Sequence, residues 1–173
     1  NIVGESIYVY KKNSNGQYEQ TFVIENASWF EISGDKIAVK QTHKHSNNDG
    51  TLNVFTANWI RVFKRNEDES WTQFQDLYHP EIGGHPFDDY NSEHNYSSND
   101  SWMKKVQNAN ISQFVFDGEK LAISQPRWNY GFVDHSSPET VGAISLWRVT
   151  SNGIFEYDRD ITSESPIPSH TLN

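Results

Sequence analysis

The chain of 173 residues contains no cysteine. Disulfide bonds, thiol catalysis and cysteine-ligated zinc are therefore excluded, although the compartment stays open because many secreted repeat proteins also lack cysteine. Basic residues are few: 14 Lys and Arg oppose 23 Asp and Glu, which gives a formal net charge of −9. A face basic enough to bind nucleic acid or an anionic membrane is not expected from this balance.

Long hydrophobic runs are also missing. No apolar segment approaches the roughly 20 residues that a membrane-spanning helix needs, and no secretory leader can be read, so membrane insertion is not predicted. The chain begins at Asn1 rather than Met, which suggests a processed form or a fragment. Hydrophobic residues make up only 35%, but 10 Phe, 8 Tyr and 6 Trp compensate. These aromatic side chains bury enough area to predict one folded domain.

Two stretches of the chain match each other at a constant spacing of 84 residues, namely 29–63 and 113–147. Within them, Gly34-Asp35-Lys36-Ile37-Ala38 aligns with Gly118-Glu119-Lys120-Leu121-Ala122. A repeat of this length predicts an array of equivalent structural units. It also favours a binding scaffold over an enzyme, because repeated strands provide surface rather than chemistry.

Alternating, β-rich segments separated by turn residues predict two kinds of hairpin. An outer hairpin occurs three times, at 6–24, 60–77 and 144–161, and an inner hairpin occurs twice, at 29–39 and 113–123. Long connections are expected at 42–57 and 126–141. Four tryptophans lie at or next to repeated strand positions, and most of them are predicted to pack inside: Trp29, Trp59, Trp71 and Trp147.

One inner hairpin followed by one outer hairpin makes a four-stranded antiparallel sheet. The predicted fold class is therefore all-β, with four-stranded antiparallel blades of a partial or oligomer-completed β-propeller. The predicted division is a half blade at 6–25, a blade at 29–77, an insert loop at 82–110, a blade at 112–161 and a tail at 162–173. Two and a half blades cannot close a ring, so further blades or partner chains are expected to cover the free edges.

The run 29–39, followed by the strand Arg61-Val62-Phe63 and by Trp71-Thr72-Gln73, resembles the FG-GAP repeat. This is the β-propeller repeat of integrin-α-like domains and of many bacterial and algal surface proteins. The resemblance implies a non-enzymatic, extracellular or cell-surface segment that mediates adhesion or structural assembly. It implies further blades of the same polypeptide or other protein chains as partners, and calcium as the candidate cofactor. The family's Asp-rich calcium loop has no close copy; Asn47-Asn48-Asp49-Gly50 is the nearest.

The insert carries a candidate metal site at His85, Asp88, Asp89 and His94. Oxygen ligands suit calcium and an imidazole pair suits zinc, while solvated loop residues are the alternative. His43 and His45 share one face of an extended strand and form a weaker candidate.

A carbohydrate-binding, lectin-like function is the alternative to assembly. Five aromatic residues fall in the insert or the second long connection: Tyr90, Tyr96, Trp102, Trp128 and Tyr130. Their flat apolar faces could stack on sugar rings, but the same side chains also suit a protein interface or the gap between blades.

Four Asn-x-Ser sequences predict acceptors for N-glycosylation, at Asn26, Asn95, Asn99 and Asn110. Three of them surround the insert, which fits an exposed loop. No nucleophile elbow, phosphate loop or zinc-protease helix motif is present, so an enzyme is not predicted. A metal-dependent enzyme that uses the insert is the third alternative.

Overall fold

The computed structural model describes residues 5–45, 55–78, 111–125 and 143–162. Every regular element in these ranges is a β-strand, and every strand pair is antiparallel. The all-β antiparallel prediction is confirmed. The described ranges contain no helix with the length and apolar character required to cross a membrane.

Ten strands form a hairpin and two four-stranded sheets. They are β1 (Ser6–Lys12), β2 (Tyr18–Glu25), β3 (Ala27–Ser33), β4 (Lys36–His45), β5 (Phe55–Arg65), β6 (Trp71–Leu77), β7 (Gln113–Phe116), β8 (Lys120–Gln125), β9 (Ala143–Val149) and β10 (Phe155–Thr162). The hairpin is β1–β2, sheet 1 is β3–β4–β5–β6 and sheet 2 is β7–β8–β9–β10. Strands β4 and β5 extend beyond the prediction, because residues 42–45 and 55–57 pair with each other instead of belonging to a loop.

The turns of the three outer hairpins have the same backbone geometry. In each, one residue donates its N–H to a carbonyl four residues later: Asn13 to Gln17, Asn66 to Ser70 and Thr150 to Ile154. The fourth position of each turn has a positive φ, 82° at Gly16, 68° at Glu69 and 79° at Gly153. Glu69 and Gly153 are 84 residues apart, as in the sequence repeat, and Gly16 lies 53 residues before Glu69 at the same place of the first outer hairpin, so the repeat exists in the structure.

A β-bulge also recurs at one position of each outer hairpin. The register shifts leave one extra residue on the second strand, at Thr21, Phe74 and Asp158. A bulge bends its strand and increases the local twist. Since all three copies have it at the equivalent place, the three outer strand pairs share this source of bend and twist.

The three layers stack face to face in the order hairpin, sheet 1, sheet 2. Hairpin and sheet 1 meet through Ile7, Val9, Phe22 and Ile24 against Ile37, Val39, Phe63 and Trp71. Sheets 1 and 2 meet through Ala38, Ile60, Val62 and Leu77 against Phe114, Phe116, Leu121, Ile123, Trp147 and Phe155. Sheet 1 contributes to both cores because successive side chains of a strand point to opposite faces.

Hydrogen bonds tie sheet 1 to sheet 2 at two separate places. The Gln75 amide donates to the carbonyl of Phe155 at 2.8 Å and accepts from the Phe155 N–H at 2.9 Å. At the inner turns, Ser33 Oγ donates to the carbonyl of Asp117 at 2.8 Å. A Cβ at Gly118 would lie 3.0 Å from Ser33 Oγ, so this close approach favours glycine.

The tryptophan prediction holds for three of the four residues. Trp59 and Trp147 are buried and Trp71 is half-buried, whereas Trp29 is exposed. Trp29, the exception, lies on β3, the first strand of sheet 1.

Candidate functional site

Each layer has a front and a back, defined by the order of the stack. The front of a layer points toward the hairpin end, and the back points toward the sheet 2 end. Both internal contacts place the back of one layer on the front of the next. The front of the hairpin and the back of sheet 2 are therefore the two end faces of the described stack, and they form the candidate site.

The front end face consists of Tyr8, Tyr10 and Tyr18. These side chains alternate along β1 and β2 with the residues that pack on sheet 1, and all three are exposed. A tyrosine ring packs as an apolar surface while its hydroxyl stays in water, so exposed tyrosines suit a partly wet contact. The hairpin is joined to sheet 1 at this end by a surface ion pair between Lys11 and Glu69.

The back end face consists of Val115, Ala122, Ile144, Leu146 and Ile161. Ile144 is 43% exposed and Ile161 is 49% exposed, although both lie on strands whose opposite face is core. Val115, Ala122 and Leu146 are aligned with one another across β7, β8 and β9. Ile144 pairs with Ile161 across β9 and β10, so these apolar side chains cover the width of sheet 2. An exposed apolar patch of this kind is typical of an interaction surface.

An open cleft of about 480 Å³ lies on this back end face. Its charged lining includes Lys120, Arg148, Arg159 and the bulge residue Asp158. The Asp158 carboxylate lies 3.7 Å from Arg148 Nε and 3.9 Å from Arg159 Nε, at the outer limit of ion pairing. Asp117 also lines the cleft, so its lining combines three basic with two acidic side chains and has only a small positive net charge.

A polar and aromatic cluster lies on the front of sheet 1. Arg61 binds Asp76 through two hydrogen bonds of 2.6 and 2.7 Å, and Tyr78 donates to the same carboxylate at 3.1 Å. The Arg61 guanidinium also lies 5.6 Å from the ring centre of Trp59. The hydrogen bond to Asp76 raises the pKa of Arg61 above its ordinary value. Because each charge already has its partner, the cluster resembles a structural ion pair more than an acid–base site.

This cluster borders a second open cleft, of about 330 Å³, beside the link between β2 and β3. Gln41 lies there and donates its amide to the carbonyl of Glu25 at 2.5 Å. Asn26, a predicted glycosylation acceptor, lines the same cleft in an exposed turn with a φ of 56°. Asparagine tolerates this left-handed conformation better than most residues, and the position leaves its side chain accessible. Its glycosylation remains a prediction.

The other predicted site residues lie outside the described residues. They are the aromatics Tyr90, Tyr96, Trp102, Trp128 and Tyr130, the metal candidates His85, Asp88, Asp89 and His94, and the asparagines Asn95, Asn99 and Asn110. His43 and His45 do lie on one strand, β4, but their side chains are outside the description. Across 5–45, 55–78, 111–125 and 143–162, no three His, Asp or Glu side chains are grouped so as to hold a metal ion.

The assembly hypothesis expected blade surfaces as the contacts and the insert as a specificity element, but sequence reasoning identified no residue of either end face. A signal for the back end face was nevertheless present, because Ile144 aligns with the buried Ile60 at the repeat spacing. Comparison of the chain with protein-family models, with curated proteins and with solved structures gives no match.

Proposed function

We propose that this chain is a non-enzymatic, propeller-like segment that mediates adhesion or structural assembly through protein contacts at its end faces. The observation that carries the proposal is the back end face. All of its apolar residues except Val115 occupy positions equivalent to those of Ala38, Ile60, Val62 and Leu77, which are buried between sheets 1 and 2. Ile144 and Ile161 are nevertheless exposed. A surface composed like a core contact is best explained by a protein that covers it.

The propeller character of the segment belongs to this proposal. Its support is the face-to-face stacking of antiparallel sheets and the bulge that recurs in each outer hairpin. Membership of the FG-GAP family and an extracellular or cell-surface location rest on the resemblance alone and are proposed on that basis. A calcium site in the insert is proposed from the ligand types of its His and Asp residues. The partners are further blades of the same polypeptide or other protein chains.

The absence of a catalytic role is proposed from the chemistry of the most polar described cluster. Arg61, Asp76 and Tyr78 are hydrogen-bonded to one another, so no acid or base of this cluster is poised for a substrate. Glycan binding by the aromatic residues remains a prediction of the sequence, and no described contact favours it over protein binding.

Site-specific photo-crosslinking of the protein in its natural surroundings tests the proposal. A photoreactive phenylalanine analogue at Ile161 probes the back end face, one at Tyr18 probes the front, and one at the exposed turn residue Glu67 is the matched control. We expect crosslinks to protein from one or both end faces, none from position 67, and loss of the back crosslink when Ile144→Asp is added. Equal crosslinking at position 67, or none at either end face, would contradict the proposal.

A further inference from the structure

The two end faces complement each other, and we propose that the chain docks head to tail on a second copy of itself. The front of the hairpin of one copy lies on the back of sheet 2 of the next. This inference rests on the proposed function, since it names the partner of the same surfaces.

The first step concerns the backs of the three layers. Equivalent positions of the outer hairpins carry the same kind of side chain: Ile7, Val9 and Ile24, then Ile60, Val62 and Leu77, then Ile144, Leu146 and Ile161. The first two sets pack on the front of the following layer. The third set belongs to the back end face. Within the described residues, no following layer packs on this third contact surface.

The second step concerns the fronts. Two aromatic residues face the preceding layer in each sheet, Phe63 and Trp71 in sheet 1 and Trp147 and Phe155 in sheet 2. The equivalent residues of the hairpin are Tyr10 and Tyr18. They are 55% and 71% exposed, whereas Trp147 and Phe155 are 7% and 2% exposed. The hairpin therefore presents the aromatic pair that the back end face requires.

The third step concerns the choice of occupant. A second copy provides two adjacent strands with aromatic residues at the required positions. Arg159 of sheet 2 is the repeat equivalent of Gln75 of sheet 1, whose side chain binds the backbone of Phe155 in the following layer. A second copy would give Arg159 an equivalent backbone partner.

Arg159 can reproduce the donating half of that contact. In the docked pair the residue equivalent to Phe155 is Tyr18 of the second copy, whose carbonyl is the expected acceptor. A guanidinium has donors only, so the accepting half of the Gln75 contact is lost. The copy-to-copy contact is accordingly expected to be weaker than the contact between sheets 1 and 2, and to form reversibly.

This contact is heterologous, because it joins two different surfaces. Each copy that docks by its front still has a free back, so the assembly grows with concentration or closes into a ring. A two-fold symmetric dimer, in which the same patch meets itself, is a different arrangement and would contradict the proposal.

Sedimentation velocity over a concentration series, with the whole chain, tests this prediction. The back variant is Ile144→Asp and the front variant is Tyr10→Lys, which would face the basic side chains of the back end face; both residues are exposed, and circular dichroism checks the fold. We expect the native chain to exceed a dimer. Each variant alone should associate at least about tenfold more weakly, because a contact would bury an unpaired charge. An equimolar mixture of the two should form one-to-one dimers and nothing larger, since one intact front and one intact back remain.

A native chain that stays monomeric at all concentrations would overturn the second copy as partner. It would leave the proposed function standing if the photo-crosslinks lead to a different protein. Association retained by either single variant, or a mixture that forms no dimer, would also overturn the head-to-tail contact. If a variant does not fold, Ile161→Lys and Tyr18→Lys test the same two surfaces.

Discussion

The fronts of sheet 1 and sheet 2 contain equivalent residues in different surroundings. Phe30 and Phe114 are related by the repeat, yet Phe30 is 51% exposed and Phe114 is 3% exposed. Sheet 2 has a four-stranded sheet in front of it, whereas sheet 1 has the two-stranded hairpin, which covers only part of its width. In this stack, burial is therefore determined by the width of the neighbouring layer and not by the residue type alone.

The same difference explains why equivalent positions hold an ion pair in sheet 1 and a neutral hydrogen-bond donor in sheet 2. Arg61 pairs with Asp76 across β5 and β6, and the equivalent Ser145 donates to Asp160 at 2.7 Å across β9 and β10. Under the narrow hairpin there is an open cleft that accommodates a guanidinium. Under the full sheet Ser145 is buried, and a long charged side chain would have no access to water.

The largest expected effect comes from truncating the two phenylalanines. We expect Phe114→Ala to lower the free energy of unfolding by about 3–5 kcal/mol, because it leaves a cavity between two sheets. Phe30→Ala is expected to cost less than about 1 kcal/mol, because half of that side chain is already in water. Urea denaturation followed by tryptophan fluorescence measures both. Equal losses would show that the front of sheet 1 is covered in solution.

The second prediction compares the polar pairs. Arg61→Ala removes both hydrogen bonds to an Asp76 side chain that is only 14% exposed, and we expect a loss of about 2 kcal/mol. Ser145→Ala removes one neutral donor and should cost about 1 kcal/mol. A double-mutant cycle of Arg61 with Asp76, in urea denaturation, measures the coupling. The exposed pair Lys11–Glu69 is the control, with an expected coupling below about 0.5 kcal/mol. A coupling of Arg61 with Asp76 no larger than that control would contradict the expectation.

The sequence predicted the fold class well because repetition and strand alternation are local signals. Residues 29–39 and 113–123 each form a hairpin of the same kind, and the outer turns that contain Gly16 and Gly153 lie where the turn residues predicted them. The order of strands within each sheet follows from hairpins that are adjacent along the chain.

The candidate site was less predictable, because exposure depends on neighbouring layers that a local pattern does not specify. Ile60 and Ile144 have the same residue type and the same position in the repeat, but the first is buried and the second is exposed. The composition of a face predicts that it can be covered, and only the arrangement of the sheets shows whether it is.

The smallest expected effect concerns the outer turns. Glu69 has a φ of 68° at the position where the other two copies have glycine. The left-handed conformation costs a residue with a Cβ roughly 1–2 kcal/mol, of which the greater freedom of glycine in the unfolded chain offsets about 0.5–1 kcal/mol. We therefore expect Glu69→Gly to raise the free energy of unfolding by about 0.5–1 kcal/mol, measured by urea denaturation.

Two variants separate this backbone effect from the ion pair with Lys11. Glu69→Ala loses the ion pair and keeps the strained φ, so its stability should lie within about 0.5 kcal/mol of the native chain. Gly153→Ala introduces the strain into the third turn, where a new Cβ would meet no atom within 4 Å, so any loss must come from the backbone. If Glu69→Gly is less stable than Glu69→Ala, the turn of sheet 1 has a conformational preference of its own. The three outer hairpins would then be equivalent in their hydrogen bonds but not in the energy of their turns.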